Sequence, residues 1–258
     1  MAKTIKIIGI GAGDPSHVTL QAVEALNTVD VFFLMEKGPS KDDLLALRRE
    51  VCRRYIRADR TYRFAEGTTP ERDRGAADYL AAVDDLNDRK GAAVERLIAE
   101  EMADGECAGY LAWGDPALYD STIRIIRTIA ESGRHDIVWE VIPGVSSLQA
   151  LTARHKVTLN SIGRPVLITT GRRLAADGFP TNTDSVAVML DAENSFLAFR
   201  DDPSVEIYWG AYVGAANEIR ITGPVGEVAD EIVRRRTEAR AANGWIMDSY
   251  LLRRTTLP

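Results

Sequence analysis

Hydrophobic and polar positions in the first half of the chain form strand-like and helix-like segments that follow one another. Four short apolar runs have the length and composition of buried strands. They are residues 5–10, 31–34, 107–113 and 137–142. Between them, apolar residues recur at intervals of three and four, which predicts amphipathic helices. These segments are residues 20–26, with Thr19 as N-cap, 42–57, 71–103 and 121–131. A polar loop is expected at residues 67–70, between the second and third of them. The alternation predicts an α/β fold built on a parallel sheet.

The second half of the chain has a different pattern, with strand-like runs joined by shorter connections. The runs are residues 166–169, 185–190, 205–209 and 245–252. Short connections favour antiparallel neighbours, so we expect a mixed sheet here. We therefore predict an N-terminal domain of residues 1–160 and a C-terminal domain of residues 161–258. Residues 177–184, rich in Gly, Pro, Thr and Asn, are predicted to form a surface loop.

Composition places the chain among ordinary globular proteins. Of its 258 residues, 45% are hydrophobic and 27% charged, which excludes a disordered, collagen-like or disulfide-rich chain. The formal net charge of -6 argues against a surface that binds nucleic acid. The two cysteines and three histidines have no ligand spacing, so no metal site is predicted. No apolar run reaches the roughly 18 residues of a membrane span, and we expect a cytoplasmic protein.

Three glycine-containing loops each follow a predicted strand directly. They are residues 9–15 (GIGAGDP), 114–116 (GDP) and 143–147 (PGVSS). In an open α/β sheet, ligands bind at the carboxyl ends of the strands, and glycine permits close approach of the backbone. We therefore expect the three loops to converge on one ligand, although each alone could be an ordinary turn.

The first loop also resembles a dinucleotide-binding fingerprint, with Glu36 near the position of a ribose-binding acid. That keeps a nicotinamide-dependent dehydrogenase open as an alternative. However, Asp14 stands where the third fingerprint glycine belongs, and its charge would repel a pyrophosphate. The chain also lacks a P-loop motif, so a cationic or zwitterionic ligand fits these acidic loops better. A ligand carrier without catalytic activity is a further alternative.

Hydrolytic and metal-assisted chemistry fit the sequence less well. Residues 144–148 begin like a nucleophile elbow around Ser146, but Leu148 replaces the second glycine of that motif. The carboxylates Asp14, Asp115 and Asp191 are isolated and lack the spacing of metal ligands.

Taken in order, the loops resemble the signature segments of the tetrapyrrole methylases. The similar segments are residues 9–19, 113–119, 142–147, 188–190 and 210–226. Ala12 departs from the pattern, since the family usually has proline there. Residues 32–38, 43–50 and 245–254, with an insertion at 64–106, resemble the branch that methylates C-1 of precorrin-5 and releases acetate. Another methylase of the same fold is the alternative.

The resemblance implies two α/β domains, the first with a mainly parallel sheet and the second with a mixed sheet, and a ligand cleft between them. It also implies S-adenosyl-L-methionine as cofactor, S-adenosyl-L-homocysteine as product, and a homodimer. The implied cofactor-binding residues are Trp113, Gly114, Asp115, Leu118, Tyr119, Ser146, Ser147, Met189, Ala211, Tyr212, Gly223 and Pro224. From the residues alone, Met189 could equally be a core side chain, and Ser146 and Ser147 could be helix caps.

Loss of an acetyl group needs a general base to activate water. Asp14 is the first catalytic candidate, and its alternative role is to cap a helix beside Pro15. Tyr119 and His155 are weaker candidates, and His155 is expected at the surface. The predicted substrate-binding residues are Gly11, Ala12, Gly13, Asp14, Arg49 and Arg53. The two arginines belong to the arginine-rich stretch 48–63, whose guanidinium groups suit the carboxylates of a tetrapyrrole. The alternative is a solvated helix face on which these arginines pair with nearby acids.

Overall fold

The computed structural model describes residues 1–36, 42–68 and 79–255, which fall into two compact units. The first unit comprises residues 1–11 and 15–145, and the second comprises residues 12–14 and those from 146 onward.

The first unit is a five-stranded parallel sheet with helices on both faces. Its strands are β1 (Lys3–Gly9), β2 (Val31–Glu36), β3 (Arg63–Thr68), β4 (Cys107–Ala112) and β5 (Ile137–Ile142). Its helices are α1 (Leu20–Leu26), α2 (Asp42–Tyr55), α3 (Tyr79–Glu101) and α4 (Thr122–Glu131). The strand order is β3-β2-β4-β1-β5, and every neighbouring pair is parallel. The predicted parallel sheet is confirmed, and its order differs from the 3-2-1-4-5-6 order of dinucleotide-binding folds.

Alternate residues of β1 explain the two helical layers. Ile5 and Ile7 are buried against α3 and α4, in a cluster that includes Ile98 and Ile126. Ile8 and Ile10 point to the other face, where a second cluster contains residues of α1 and α2. Strands buried on both faces require nearly continuous apolar runs, which is why residues 5–10 could be predicted as a strand.

Local signals account for some elements and not for others. Thr19 caps α1 as predicted, its hydroxyl accepting a 3.1 Å hydrogen bond from the backbone of Ala22. Strand β3 was not predicted, and residues 67–70 were expected to form a loop. Gly67 and Thr68 instead pair with Met35 and Glu36 of β2. The rest of that predicted loop, and residues 71–78 of the predicted helix 71–103, lie outside the described residues.

An ion pair connects β3 to the turn before β4. Arg63 donates two hydrogen bonds to the Glu106 carboxylate, at 2.8 and 2.7 Å, and the backbone N–H of Ala103 donates a third at 2.8 Å. The hydrogen bond from Arg63, followed by that from Ala103, lowers the pKa of Glu106 to about 2. The ionised carboxylate therefore stabilises the folded state.

We expect Glu106→Gln to lower the free energy of unfolding at pH 7 by about 1–2 kcal/mol, after allowance for solvent screening. Because the folded pKa lies below the ordinary value of 4.5, this stabilisation is present above that pH and is lost as the pH falls toward about 2. Urea unfolding of the wild type and variant between these pH values measures it. Asp104→Asn, which alters an exposed carboxylate of the same turn, is the control.

The second unit is a mixed five-stranded sheet. Its strands are β6 (Val166–Thr170), β7 (Ser185–Met189), β8 (Val205–Ala211), β9 (Ile219–Pro224) and β10 (Asp248–Arg254). Its helices are α5 (Ser147–His155), α6 (Gly171–Asp177) and α7 (Val225–Asn243). The order is β6-β7-β10-β8-β9, with β6 and β7 parallel and the other pairs antiparallel. The predicted mixed sheet is confirmed, whereas α6, β9 and α7 were not predicted.

Helix α5 determines where the chain divides. It packs on β8 and β10, and its buried Leu148 and Leu151 belong to the second unit. The division therefore falls at residues 145/146, ahead of the predicted 160/161. Residues 178–184 form the predicted loop, but its end is not exposed, because Thr183 and Asp184 are buried. No helix within the described residues is long and apolar enough to cross a membrane.

Candidate functional site

The three predicted loops meet at the carboxyl edge of the first sheet. Gly11 and Gly114 form a backbone bridge, with hydrogen bonds of 3.3 and 2.8 Å. A Cβ placed on Gly9 would lie 2.6 Å from the backbone nitrogen of Gly144 and 2.9 Å from the carbonyl oxygen of Gly114. Only glycine permits backbones to approach so closely. The predicted convergence of the loops at residues 9, 114 and 144 is confirmed.

Asp115 holds two of these loops together. Its carboxylate accepts hydrogen bonds from the backbone of Ala117 at 2.8 Å and of Gly144 at 2.9 Å. Trp113, just before it, has a buried indole N–H without a hydrogen-bond partner among the described residues. Leu118 closes a turn on Asp115, and Tyr119 then takes the left-handed conformation with φ 54°. Strained backbone of this kind concentrates at ligand-binding sites.

Strand β10 brings Met189 and Ala211 to one edge of the second sheet. It lies between β7 and β8, so Ser249 is opposite Met189 on one side and Gly210 on the other. Leu190 follows β7 and Tyr212 follows β8, and these two residues have left-handed φ values of 55° and 49°. The ends of β7 and β8 therefore form a second candidate surface, which contains the predicted cofactor residues Met189, Ala211 and Tyr212.

Helix α5 begins at this same edge. Leu151, in its second turn, lies against Gly210, whereas Thr158 beyond its end accepts a 2.6 Å hydrogen bond from Arg253 at the opposite edge. Ser146 is the N-cap and accepts a 3.2 Å hydrogen bond from the backbone of Leu148. The hydroxyl of Ser147 is buried and has no partner among the described residues.

The two serines therefore differ in what they do. Ser146 is a helix cap, the alternative left open by its sequence, and its hydroxyl also donates to Gln149. This arrangement does not resemble a nucleophile elbow, in which the serine is paired with a base. Ser147 carries an unsatisfied buried hydroxyl, which a polar ligand group could satisfy.

A buried ion pair connects the strand ends at this edge of the second sheet, and it was not predicted from the sequence. Arg236 of α7 donates to Asp248 at 2.9 Å, and the indole of Trp209 donates to the same carboxylate at 3.0 Å. Arg236 also donates to the carbonyl of Asp191 and to the side chain of Asn194. The network fixes the turn after Met189 to the beginning of β10. The sequence signal for this ion pair is that Arg236 lies at the helical spacing of the buried apolar residues of α7.

Asp14 also lies beside the end of β8. A Cβ on Gly13 would contact the carbonyl oxygen of Val213 at 2.9 Å, which places this loop against the turn after Tyr212. The Asp14 carboxylate is 3.7 Å from the Arg154 guanidinium. Arg154 in turn pairs with Glu218 at 3.1 Å. The structure therefore brings the first catalytic candidate to the edge that carries Ala211 and Tyr212.

Gly223 and Pro224 do not join the other predicted cofactor residues. They end β9, where they pair with Ile207 and Glu206 near the beginning of β8. Because β8 and β9 are antiparallel, this is the end of the sheet opposite to Ala211. We therefore leave both residues out of the proposed site.

Arg49 and Arg53 of the arginine-rich stretch pair with nearby acids on a solvated surface, which is the alternative given in the sequence analysis. Arg49 pairs with Glu66 and stacks on Phe64, and the exposed Arg53 pairs with Glu50 of its own helix at 2.6 Å. Exposed guanidinium groups with carboxylate partners form a solvated surface rather than a carboxylate receptor. The structure does not place Arg49 or Arg53 with the other predicted substrate residues, and we leave them out. Arg48 differs, because it turns inward and donates to the carbonyl of Leu111 at 3.0 Å.

His155 is half-buried rather than exposed, so the expectation of a surface residue is wrong. Its Nε2 lies 3.0 Å from the carbonyl oxygen of Trp209 and therefore carries the proton. Burial lowers the pKa of this imidazole, which keeps it neutral at pH 7. The ring packs on Tyr208 and stabilises the end of α5.

The described residues give little support to the two other kinds of site considered above, a dinucleotide site at Glu36 and a metal site at the isolated carboxylates. Glu36 ends β2, but its side chain lies outside the described residues. Asp115 and Asp191 are occupied by backbone hydrogen bonds. Among the described residues, no group of three His, Cys, Asp or Glu side chains is arranged to hold a metal ion.

Comparisons with known proteins agree over nearly the whole chain. The family model of the tetrapyrrole (corrin/porphyrin) methylases matches residues 4–229. The precorrin-6A synthase (deacetylating) of a Sinorhizobium species is 46% identical over 254 residues, which cover 98% of this chain and 95% of that protein. The cobalamin synthesis related protein CobF of Corynebacterium diphtheriae has a TM-score of 0.80 and 31% identity, over 99% of this chain and 100% of that one. A uroporphyrin-III C-methyltransferase from Thermus thermophilus, solved with S-adenyl homocysteine, has the same fold at 16% identity, with a TM-score of 0.58 and coverage of 96% and 91%.

Proposed function

Because the chain belongs to the tetrapyrrole (corrin/porphyrin) methylase family, we propose that it methylates C-1 of precorrin-5 and releases the acetyl group as acetate. The product is precorrin-6A. The observation that carries the proposal is the similarity over almost the full length to the Sinorhizobium precorrin-6A synthase. The chain is a methyltransferase that depends on S-adenosyl-L-methionine and yields S-adenosyl-L-homocysteine.

Features of both units fit this cofactor. The buried indole N–H of Trp113 and the buried hydroxyl of Ser147 lack partners among the described residues, and a nucleoside or amino-acid group can satisfy such atoms. Glycine-lined strand ends leave backbone groups accessible. The residues proposed to hold the cofactor are Trp113, Gly114, Asp115, Leu118, Tyr119, Ser146, Ser147, Met189, Ala211 and Tyr212. When bound, S-adenosyl-L-methionine supplies an electrophilic methyl group on its sulfonium.

The chain's own contribution to methyl transfer is positioning and exclusion of water. A ring carbon that is already nucleophilic needs alignment more than it needs a strong base. The strained turns at Tyr119, Leu190 and Tyr212 fix where their side chains point. The proposed substrate contacts in this region are Gly11, Ala12, Gly13 and Asp14.

Deacetylation is the step that needs a base. We assign Asp14 to accept a proton from the water that attacks the acetyl carbonyl. The carbon–carbon bond to the ring then breaks, its electron pair stays on the ring, and acetate leaves. Arg154, at 3.7 Å, is placed to orient the carboxylate. Tyr119, half-exposed in its turn, is the second candidate for proton transfer.

Asp14→Asn is expected to lower the rate of acetate release by about 100-fold, the usual range for loss of a general base. Affinity for S-adenosyl-L-homocysteine should stay within about twofold, because the amide keeps the shape of the side chain. Acetate release under single-turnover conditions, with calorimetry for affinity, measures both. An unchanged rate of acetate release would remove Asp14 from the mechanism.

Ser147→Ala is expected to weaken S-adenosyl-L-homocysteine by about five- to tenfold, the worth of one hydrogen bond. The variant should be no less stable than the wild type, because the Ser147 hydroxyl makes no hydrogen bond to any residue that the structure describes. Ser146→Ala is the matched comparison, and loss of this N-cap should cost about 1 kcal/mol of stability. Equal affinities in Ser147→Ala and wild type would show that this hydroxyl does not contact the cofactor.

We also propose, from the family resemblance alone, a homodimer in the cytoplasm. Light scattering of the purified protein after size exclusion distinguishes a dimer from a monomer of 28.4 kDa.

A further inference from the structure

A small polar cavity lies in the first unit, apart from the glycine loops. Its volume is about 50 Å³, and its polar lining consists of Lys90, Tyr110, Asp120, Ser121 and Thr122. Apolar side chains of β2, α3 and α4 complete the wall. None of these residues has a role in the proposed reaction.

The cavity is at the functional edge of the sheet. Three of its residues, 120–122, directly follow the strained Tyr119, and Met35 comes from the carboxyl end of β2. The chain segment proposed to hold the cofactor therefore continues into the cavity wall. A group that enters here remains close to the carboxyl ends of β2 and β4.

The lining favours an anion. Lys90 places an ammonium group in the lining, and the hydroxyl of Ser121 makes no helix-capping hydrogen bond. The hydroxyl of Tyr110 is hydrogen-bonded to the side chain of Thr122. Asp120 is the one carboxylate among the described lining residues, and its Oδ1 already accepts a 2.6 Å hydrogen bond from the backbone of Thr122.

Arg48 adds a second positive charge beside the cavity. Its charge acts on Tyr110 and Asp120, and burial lowers the pKa of the guanidinium. A cation in such a poorly solvated position interacts more strongly with nearby anions than one in water. Arg48, which turns inward from the 48–63 stretch, therefore adds positive charge near the cavity beside that of Lys90.

The volume limits the ligand. About 50 Å³ accommodates one or two water molecules, or one carboxylate group in their place, and excludes a tetrapyrrole ring. We propose that this cavity binds a single carboxylate group, either the acetate released in the reaction or one carboxylate side chain of the tetrapyrrole. The inference rests on the proposed function for both of these sources.

The test compares two neighbouring charge deletions on α3. Lys90→Met removes the cationic donor of the cavity, and Arg89→Met removes an exposed arginine that pairs with Asp85 on the helix surface. Acetate binding is followed by NMR with carboxyl-labelled sodium acetate, which requires no turnover. The KM for precorrin-5 and the kcat are measured in parallel, with S-adenosyl-L-homocysteine affinity as a check on folding.

If the cavity takes the released acetate, Lys90→Met should weaken acetate by about tenfold or more, and Arg89→Met by less than about twofold. If it takes a substrate side chain, acetate binds poorly to all forms, and Lys90→Met raises the KM by about tenfold with little change in kcat. Ser121→Ala preserves all charges. It should weaken acetate binding in the first case, or raise the KM in the second, by about threefold.

The inference is overturned if Lys90→Met and Ser121→Ala match Arg89→Met in both acetate affinity and KM. Failure of the proposed function looks different, because the wild type would then bind no S-adenosyl-L-homocysteine and would not turn over precorrin-5.

Discussion

Replacing Arg236 by methionine is expected to lower the free energy of unfolding by about 3–5 kcal/mol, which is a large part of the stability of a typical domain. Methionine fills much of the same volume but leaves the buried carboxylate of Asp248 without its cation. The carbonyl of Asp191 and the side chain of Asn194 lose their donor as well. Urea unfolding, followed by circular dichroism, measures the loss.

Arg234→Met is the matched control on the same helix. Arg234 pairs with Glu238 on the exposed face of α7, and the loss of that pair should cost at most about 0.5 kcal/mol. Adding Asp248→Asn to Arg236→Met should recover part of the lost stability, because it removes the uncompensated charge. If Arg236→Met is as mild as Arg234→Met, the buried network does not support the strand ends at Met189 and Ala211.

The second large effect is expected at the junction of the glycine loops. Gly144→Ala should lower stability by about 2–3 kcal/mol, because the added methyl group clashes with the carbonyl oxygen of Gly114 and lies 2.9 Å from the Cα of Gly9. The backbones must separate, which also breaks the hydrogen bond from Gly144 to Asp115. Affinity for S-adenosyl-L-homocysteine should fall by at least about tenfold.

For Gly91→Ala, in the same unit, we expect the opposite change in stability. Gly91 lies within α3, where a Cβ would have no neighbour within 4 Å. Alanine at this position should raise stability by up to about 1 kcal/mol and leave cofactor affinity unchanged. Thermal unfolding and calorimetry of both variants make the comparison. Normal affinity in Gly144→Ala would show that the close approach of these loops is not needed for cofactor binding.

The parts of the fold that the sequence predicts are those with strong local signals. Most residues of strands β1 and β4 are buried, and Thr19 has the chemistry of a helix cap. The glycine loops could be located because glycine directly after a buried strand is a local pattern with a structural reason. Their convergence followed from the general rule that parallel strands share one carboxyl edge.

The missed elements depend on contacts distant in sequence. Strand β3 is a short edge strand containing Arg63, Glu66 and Gly67, and its pairing with β2 stabilises it rather than any apolar pattern. Helix α7 has a buried stripe that includes Arg236, so its apolar periodicity is interrupted at the residue that forms the ion pair. Periodicity alone cannot show that Asp248, at the start of β10, provides the partner.

The candidate site shows the same division. The resemblance assigns Met189, Ala211, Tyr212, Gly223 and Pro224 to one site. The structure brings the first three to one edge of the second sheet, whereas Gly223 and Pro224 lie at the opposite edge, because β9 runs antiparallel to β8. The arginine stretch had the expected charge, yet acids such as Glu66 neutralise its exposed members. Only the fold distinguishes Arg48, which turns inward, from its neighbours.

The most direct test of the central claim is a turnover assay with precorrin-5 and methyl-labelled S-adenosyl-L-methionine, with the corrinoid product and free acetate measured together. The proposed function predicts one labelled methyl group at C-1 and one acetate for each S-adenosyl-L-homocysteine formed. Methylation at another carbon, or methylation without release of acetate, would contradict it and identify a different methylase of the same family.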